Sequence, residues 1–275
     1  MAVRRVLAVL ILGPICASTA WATPQVALRT QFAPDVLGAS TTIIYGFQIS
    51  ETDGQLPPPL SDVDLHLPAG MGLASSSLGL ATCTPARLQA GGPGDCPAEA
   101  RLGFGHALVK VPTGEGTLQE RGEVAAVLGP SSDEHLVVLF YVEGTTPVAA
   151  QLVFPGELLD DLPPFGTHVD TAIPLIPVWP EGPDVVVTNF SSTIGPLHLT
   201  YYRPQHGHLV PFHPRGIAMP TTCPRGGFPI AADFAFADGS HTRAENIVAC
   251  PKRRVRRHTA SLHAGGRHAA VSPTR

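Results

Sequence analysis

The chain reads as all-β: an antiparallel, β-sandwich-like fold braced by two local disulfides. Three observations predict this. Runs of alternating polar and apolar residues, the mark of a strand with one wet face, recur along the chain. Glycine (28) and proline (29) together make about a fifth of the 275 residues, which suits many short strands joined by tight turns. Helical patterning is confined to one short stretch.

The elements follow in order. Residues 41–49 are rich in β-branched and aromatic side chains and predict a strand. In Asp62-Val63-Asp64-Leu65-His66-Leu67 the alternation is strict, so one face is wet and the other buried. Thr84-Pro85 opens and Gly91-Gly92 ends a helix of one or two turns over 84–90. Residues 135–142 and 148–154 are more continuously apolar, as in strands covered on both sides. Strands at 185–188, 197–202 and 230–237 come next. Asp238-Gly239 then offers a two-residue hairpin turn into a strand at 241–247. That makes roughly a dozen strands, at the spacing of a sandwich. Proline-dense connectors at 57–59, 163–164 and 174–183 cannot lie in central strands.

Residues 1–22 read as a signal peptide. Arg4 and Arg5 precede an apolar run too short to span a bilayer, and Ala20-Trp21-Ala22 is a peptidase site. No later apolar run is long enough to span a membrane, so the expected location is secreted or cell envelope. Residues 23–75 form an N-terminal strand set and 76–251 a main β domain. A Ser/Gly-rich stretch near 70–80 divides them into two layers or subdomains rather than independent domains. Residues 252–275 form a basic tail, expected to be disordered for want of apolar content.

Cys16 leaves with the leader, so four cysteines remain. They permit three pairings, and proximity favours Cys83 with Cys96 and Cys223 with Cys250. By the chain-entropy estimate these bridges contribute roughly 3 and 3.6 kcal/mol. A zinc site is the weaker reading, because there is no C-x-x-C. An oxidising compartment also favours disulfides.

Charge divides along the chain. All 22 acidic residues lie between Asp35 and Glu245, and residues 23–251 carry −13. The tail carries +7 with no acid. It has no aromatic residue for stacking on bases, so no nucleic acid is expected as a partner. An anionic envelope polymer is the partner its charge suits.

Ala81-Thr82-Cys83, then Cys96-Pro97-Ala98-Glu99-Ala100-Arg101-Leu102-Gly103, resembles a cysteine-pair motif of secreted bacterial β-rich proteins of unknown function. Ala100 stands where that motif usually has serine. Thr193-Ile194-Gly195-Pro196, Leu199-Thr200-Tyr201-Tyr202 and the run from Pro220 through Cys223-Pro224-Arg225-Gly226-Gly227-Phe228-Pro229 resemble the same proteins. The likeness covers roughly residues 62–251. It implies a secreted β-rich fold and supplies no catalytic residue and no cofactor.

Few residues point to chemistry. His206-x-His208, with His213 nearby, has the spacing of two ligands on one strand face, but Gly207 and Pro211 favour a solvated hairpin tip. Glu157 and Asp160-Asp161 offer oxygens for calcium, but Pro163-Pro164 replaces the glycine turn such a loop uses. There is no G-x-S-x-G elbow. Trp179, among prolines, reads as a plug at the end of the sheets more than as a contact residue. Asn189-Phe190-Ser191 matches a glycosylation sequon. The expected function is therefore a binding or structural role outside the cytosol, without enzyme activity. The alternative is a hydrolase whose site is assembled in space, and its test is whether His135, His168, His198 or the histidines at 206–213 converge with carboxylates.

Overall fold

The structure, a computed structural model, describes residues 23–50, 55–72, 77–145 and 149–251. The leader and the basic tail lie outside them. Alternating sequence builds fourteen strands: β1 (Gln25–Ala33), β2 (Ser40–Ser50), β3 (Leu60–Pro68), β4 (Arg101–Thr113), β5 (Gly116–Leu128), β6 (Leu136–Gly144), β7 (Ala150–Asp160), β8 (Phe165–Ala172), β9 (Val186–Ile194), β10 (Tyr201–Gln205), β11 (His208–Phe212), β12 (Ile217–Ala218), β13 (Phe228–Phe236) and β14 (His241–Val248). One α-helix, α1 (Pro85–Asp95), is present among the described residues, followed by a single 3-10 turn at Ala98–Ala100.

Twelve strands make one antiparallel sheet in the order β1-β2-β9-β4-β5-β6-β7-β8-β3-β13-β14, with β12 added to β2. Its two ends, β1 and β14, run beside each other without a continuous hydrogen-bonded ladder. The sheet is thus nearly closed on itself, and the two layers of a sandwich are opposite walls of one sheet. Strands of the N-terminal set are woven through it: β2 pairs with β9, and β3 lies between β8 and β13.

Side chains close the seam where backbone pairing stops. Thr242 Oγ1 donates to the carbonyl of Pro24 (2.7 Å). Inside, Phe32 of β1 meets Phe228 edge-on at 5.8 Å, and Phe47 of β2 meets Phe234 at 5.0 Å. Such edge contacts add to the burial of the rings.

The longest strands, β4 and β5, carry a weak alternation signal. Gly103, Gly105 and Gly122 stand where side chains would mark the period. A Cβ at Gly103 or Gly105 would come 2.1 or 2.3 Å from a carbonyl oxygen of β9, so the glycines permit the close pairing.

The helix forms as expected. Thr84 Oγ1 caps it, accepting from Arg87 N–H at 3.3 Å, and Pro85 sits where its missing N–H costs nothing. The element continues to Asp95 because Gly92, at φ +66°, turns the chain into a second short turn. Leu88, fully buried, anchors α1 outside the barrel on Val127, Val137, Leu139 and Tyr141. That is why β6 is apolar on both faces: Val138, Phe140 and Val142 line the interior while Val137, Leu139 and Tyr141 meet the core under α1.

Both local disulfides are present, Cys83–Cys96 and Cys223–Cys250. The first brackets α1; the second brackets the β13–β14 hairpin. The turn of that hairpin differs from expectation. It holds three residues, Ala237, Asp238 and Gly239, with Gly239 at φ +83° and Phe236 N–H donating to the carbonyl of Ser240. This is the turn-plus-bulge form, in which glycine takes the left-handed position. Residues 197–200 are turn and irregular chain, and the strand begins only at Tyr201. Fully buried Tyr201 donates to the carbonyl of Arg101 (2.5 Å) and accepts from Gly79 N–H (3.1 Å), tying the segment over one barrel end to the start of β4.

Candidate functional site

Two features of the barrel are candidates: its interior and a polar cluster on its outer wall. Alternation builds both at once, because consecutive residues of β3 and β8 face opposite sides.

The interior holds a cavity of about 220 Å³. Residues of nine strands line it, among them Phe47, Leu65, Val109, Phe140, Phe154 and Phe190. Among its lining residues only Tyr45, Thr167 and Thr171 carry a hydroxyl. Burial pushes the Tyr45 phenol far above its ordinary value, so it stays neutral. The lining runs from Met71 and Leu102 at one end to Leu175, Ile176 and Val185 at the other. The loop between β8 and β9 covers this second end, folded on itself by the Val185 N–H to Ile176 carbonyl bond (2.8 Å). Leu175 borders the cavity and is also 45% exposed, which places the mouth there. Trp179 stands half exposed in the same loop, against Gly182.

On the outer wall, the register sets five charged residues in one row across five neighbouring strands. Arg243 faces Asp233, Asp233 faces Asp64, Asp64 faces Asp170, and Asp170 faces Glu157. Four acids thus share a row with one cation. The adjacent row holds His66 opposite His168. His66 Nδ1–H donates to Asp161 Oδ2 at 2.7 Å and Nε2–H donates to Asp233 Oδ2 at 2.9 Å, so the ring carries both protons. Arg243 donates to the same oxygen of Asp233.

The electrostatics follow from burial and neighbours. Burial pulls the His66 imidazole down, but its bonds to Asp161 and Asp233 and the charge of Asp64 outweigh that and hold it above its ordinary value. For Asp64, burial raises the carboxyl most; the two histidines oppose this, and Asp170 and Asp233 add to it, leaving it raised. Asp62 is raised by burial and by Asp170 and Asp64. Asp161 goes the other way. Burial lifts it, but the His66 bond and the Leu162 N–H (2.6 Å) overcome that and hold it low.

Of the residues singled out from sequence, His168 and Asp161 are brought into this cluster, and Glu157 stands at the end of its acidic row. Asp161 bonds His66 rather than joining Asp160 and Glu157 in a calcium loop. His206 and Gly207 form the exposed tip of the β10–β11 hairpin, where Gln205 pairs with His208. His213 lies apart from them, its Nδ1 3.1 Å from the carbonyl of Leu199. Asn189 pairs with Gln48 and Leu108 in mid-sheet, so the sequon is strand rather than loop. Sequence reading did not single out Asp64, His66 or Asp233. The alternation around Asp62, Asp64 and His66 marked a wet face, but nothing local marked what lies opposite.

Comparison with known proteins gives no match: no family model, no curated protein and no solved structure is similar to the chain. No described helix is long and apolar enough to cross a membrane. The barrel is apolar inside and charged along the outer faces of β3, β8 and β13, the reverse of the pattern in membrane-spanning barrels.

Proposed function

We propose that this protein is an exported binding protein that carries a small apolar molecule, a single hydrocarbon chain, along the axis of its barrel. The carrying observation is the 220 Å³ cavity with its apolar lining and its mouth at Leu175. Apolar cavities of ~150 Å³ already take up benzene, and this one is larger and runs along the axis. Burial of a hydrocarbon there removes apolar surface from water at little polar cost. The hydroxyls of Tyr45, Thr167 and Thr171 can meet one polar end group. The paired cysteines support a working place outside the cytosol.

The test is displacement of a fluorescent fatty acid by unlabelled acids of increasing chain length. Saturable one-to-one binding with an optimum length is expected. Val142→Phe, which fills the cavity, should abolish binding while the melting temperature holds. Should that variant unfold, Leu175→Trp at the mouth should slow association instead. Absence of saturable binding, or binding untouched by both substitutions, overturns the reading.

The hydrolase alternative gains little from the wall cluster. Both ring nitrogens of His66 face carboxylates, and His168 Nδ1 has no hydrogen-bond partner, so neither ring is set to activate a hydroxyl. The basic tail supports attachment to an anionic envelope polymer by charge. Deleting residues 252–275, or raising the salt, should release the protein from cells; unchanged fractionation removes this part of the proposal.

A further inference from the structure

The wall cluster has no part in hydrocarbon binding, and its geometry points to a second site: we propose that Asp64, His66 and His168 bind a divalent transition-metal ion of the zinc class, with Asp161 as a positioning residue. Among the described residues these three offer ligand atoms that all lie within 4.8 Å of one another. Asp64 Oδ2 is 3.6 Å from His66 Nε2, and Asp64 Oδ1 is 4.0 Å from His168 Nε2. Two ligands on a tetrahedral zinc stand about 3.3 Å apart, given metal–ligand bonds of 2.0–2.2 Å. Asp64 and His66 are already near that spacing, and His168, whose ligand atom lies within 4.8 Å of theirs, draws in by rotation of its side chain to complete the set.

Three further observations favour a cation here. Asp64 Oδ1 and His168 Nδ1 are buried without a hydrogen bond. A buried carboxylate oxygen lacking a donor is costly, and a metal satisfies it. Like charges set directly opposite destabilise a sheet, and Asp64 stands between Asp170 and Asp233. The single guanidinium of the row, Arg243, reaches Asp233 but no other acid of the row, and is shared with Glu245. Finally, the 2.7 Å bond from His66 Nδ1–H to Asp161 is the carboxylate–histidine arrangement that orients metal-binding imidazoles. On binding, the ion takes the place of the Nε2 proton of His66, which leaves to solvent. Nδ1–H stays on Asp161, and Asp233 keeps Arg243. Two nitrogens and one carboxylate suit zinc, cobalt or nickel over calcium or magnesium. The ligands come from β3 and β8, which are paired strands, so the ion would clasp the wall and leave a coordination position open to water.

The experiment uses the untagged, oxidised exported chain stripped with EDTA, then titrated with zinc chloride by calorimetry and with cobalt chloride by visible absorption. One ion per chain is expected, with a tetrahedral cobalt spectrum. His168→Ala and Asp64→Asn should lose it, with melting temperatures in EDTA close to the parent. Asp161→Asn should weaken binding about 10- to 100-fold. A His206→Ala/His208→Ala variant at the exposed hairpin tip should bind as the parent does. The proposal is overturned if the stripped protein takes up neither ion, if His168→Ala binds normally, or if the hairpin variant is the one that loses binding. Should Asp64→Asn fail to fold, His168→Ala, on the partly exposed wall, still decides.

Discussion

Phe234→Ala is expected to destabilise the protein by about 3–5 kcal/mol, the cost of emptying a large buried aromatic site. Phe234 is 1% exposed and points inward from β13. Its ring meets Phe47 of β2 at 5.0 Å, across the seam where β1 and β14 lie side by side without a ladder. Two losses therefore coincide: burial of the ring itself, and a bond between the two ends of the sheet. Backbone hydrogen bonds cannot compensate at a seam that lacks them. Chemical denaturation followed by circular dichroism should show the shift. Hydrogen exchange should show β1 and β14 losing protection before β5 and β6. A variant with parental stability would mean that the seam is held by something other than these rings.

The second large effect is expected from Cys83→Ala/Cys96→Ala, which removes a bridge spanning 13 positions. The chain-entropy estimate for a loop of this size is about 3 kcal/mol. Both cysteines are buried, and they belong to the small outer core that Leu88 anchors. Without the bridge, α1 holds to the wall mainly through Leu88 and two exposed bonds between Gln89 and Gln151, because its other residues are largely exposed. The expected result is a barrel that persists at lower stability with α1 exchanging freely. Denaturation midpoints of the oxidised parent and the double variant measure the first part, and hydrogen exchange across residues 85–95 the second. Equal midpoints would show that the bridge constrains nothing that unfolding releases.

Much of the architecture was legible along the chain, because period-two patterning and turn chemistry are local. Leu65 and His66 point to opposite sides of β3 whatever lies next to them. Thr84-Pro85 caps a helix for reasons contained in four residues. The cysteines lie near their partners in sequence, and the bridges are the short ones. Even the exact turn at Asp238-Gly239 missed by one residue only, since glycine serves both hairpin forms and the flanking strands chose between them.

The sites were not legible in the same way. His168 and Asp161 could be named as polar residues with chemical capacity, but their partners, Asp64 and His66, come from β3, far back along the chain, and His66 in turn reaches Asp233 of β13, far ahead. Strand order and register bring Asp64 between Asp170 and Asp233, and no local pattern encodes either. A slip of one residue in β3 would send Asp64 inward and Leu65 out. The cavity likewise has no residue of its own. It is the space left when the inward faces of many strands curve around a common axis. Composition, alternation and cysteine spacing by themselves determined a β protein with two short bridges. Closure of the sheet decided that it has an interior, and non-local pairing decided which charges meet on its wall, because contacts between distant strands are fixed by three-dimensional packing rather than by neighbours in the chain.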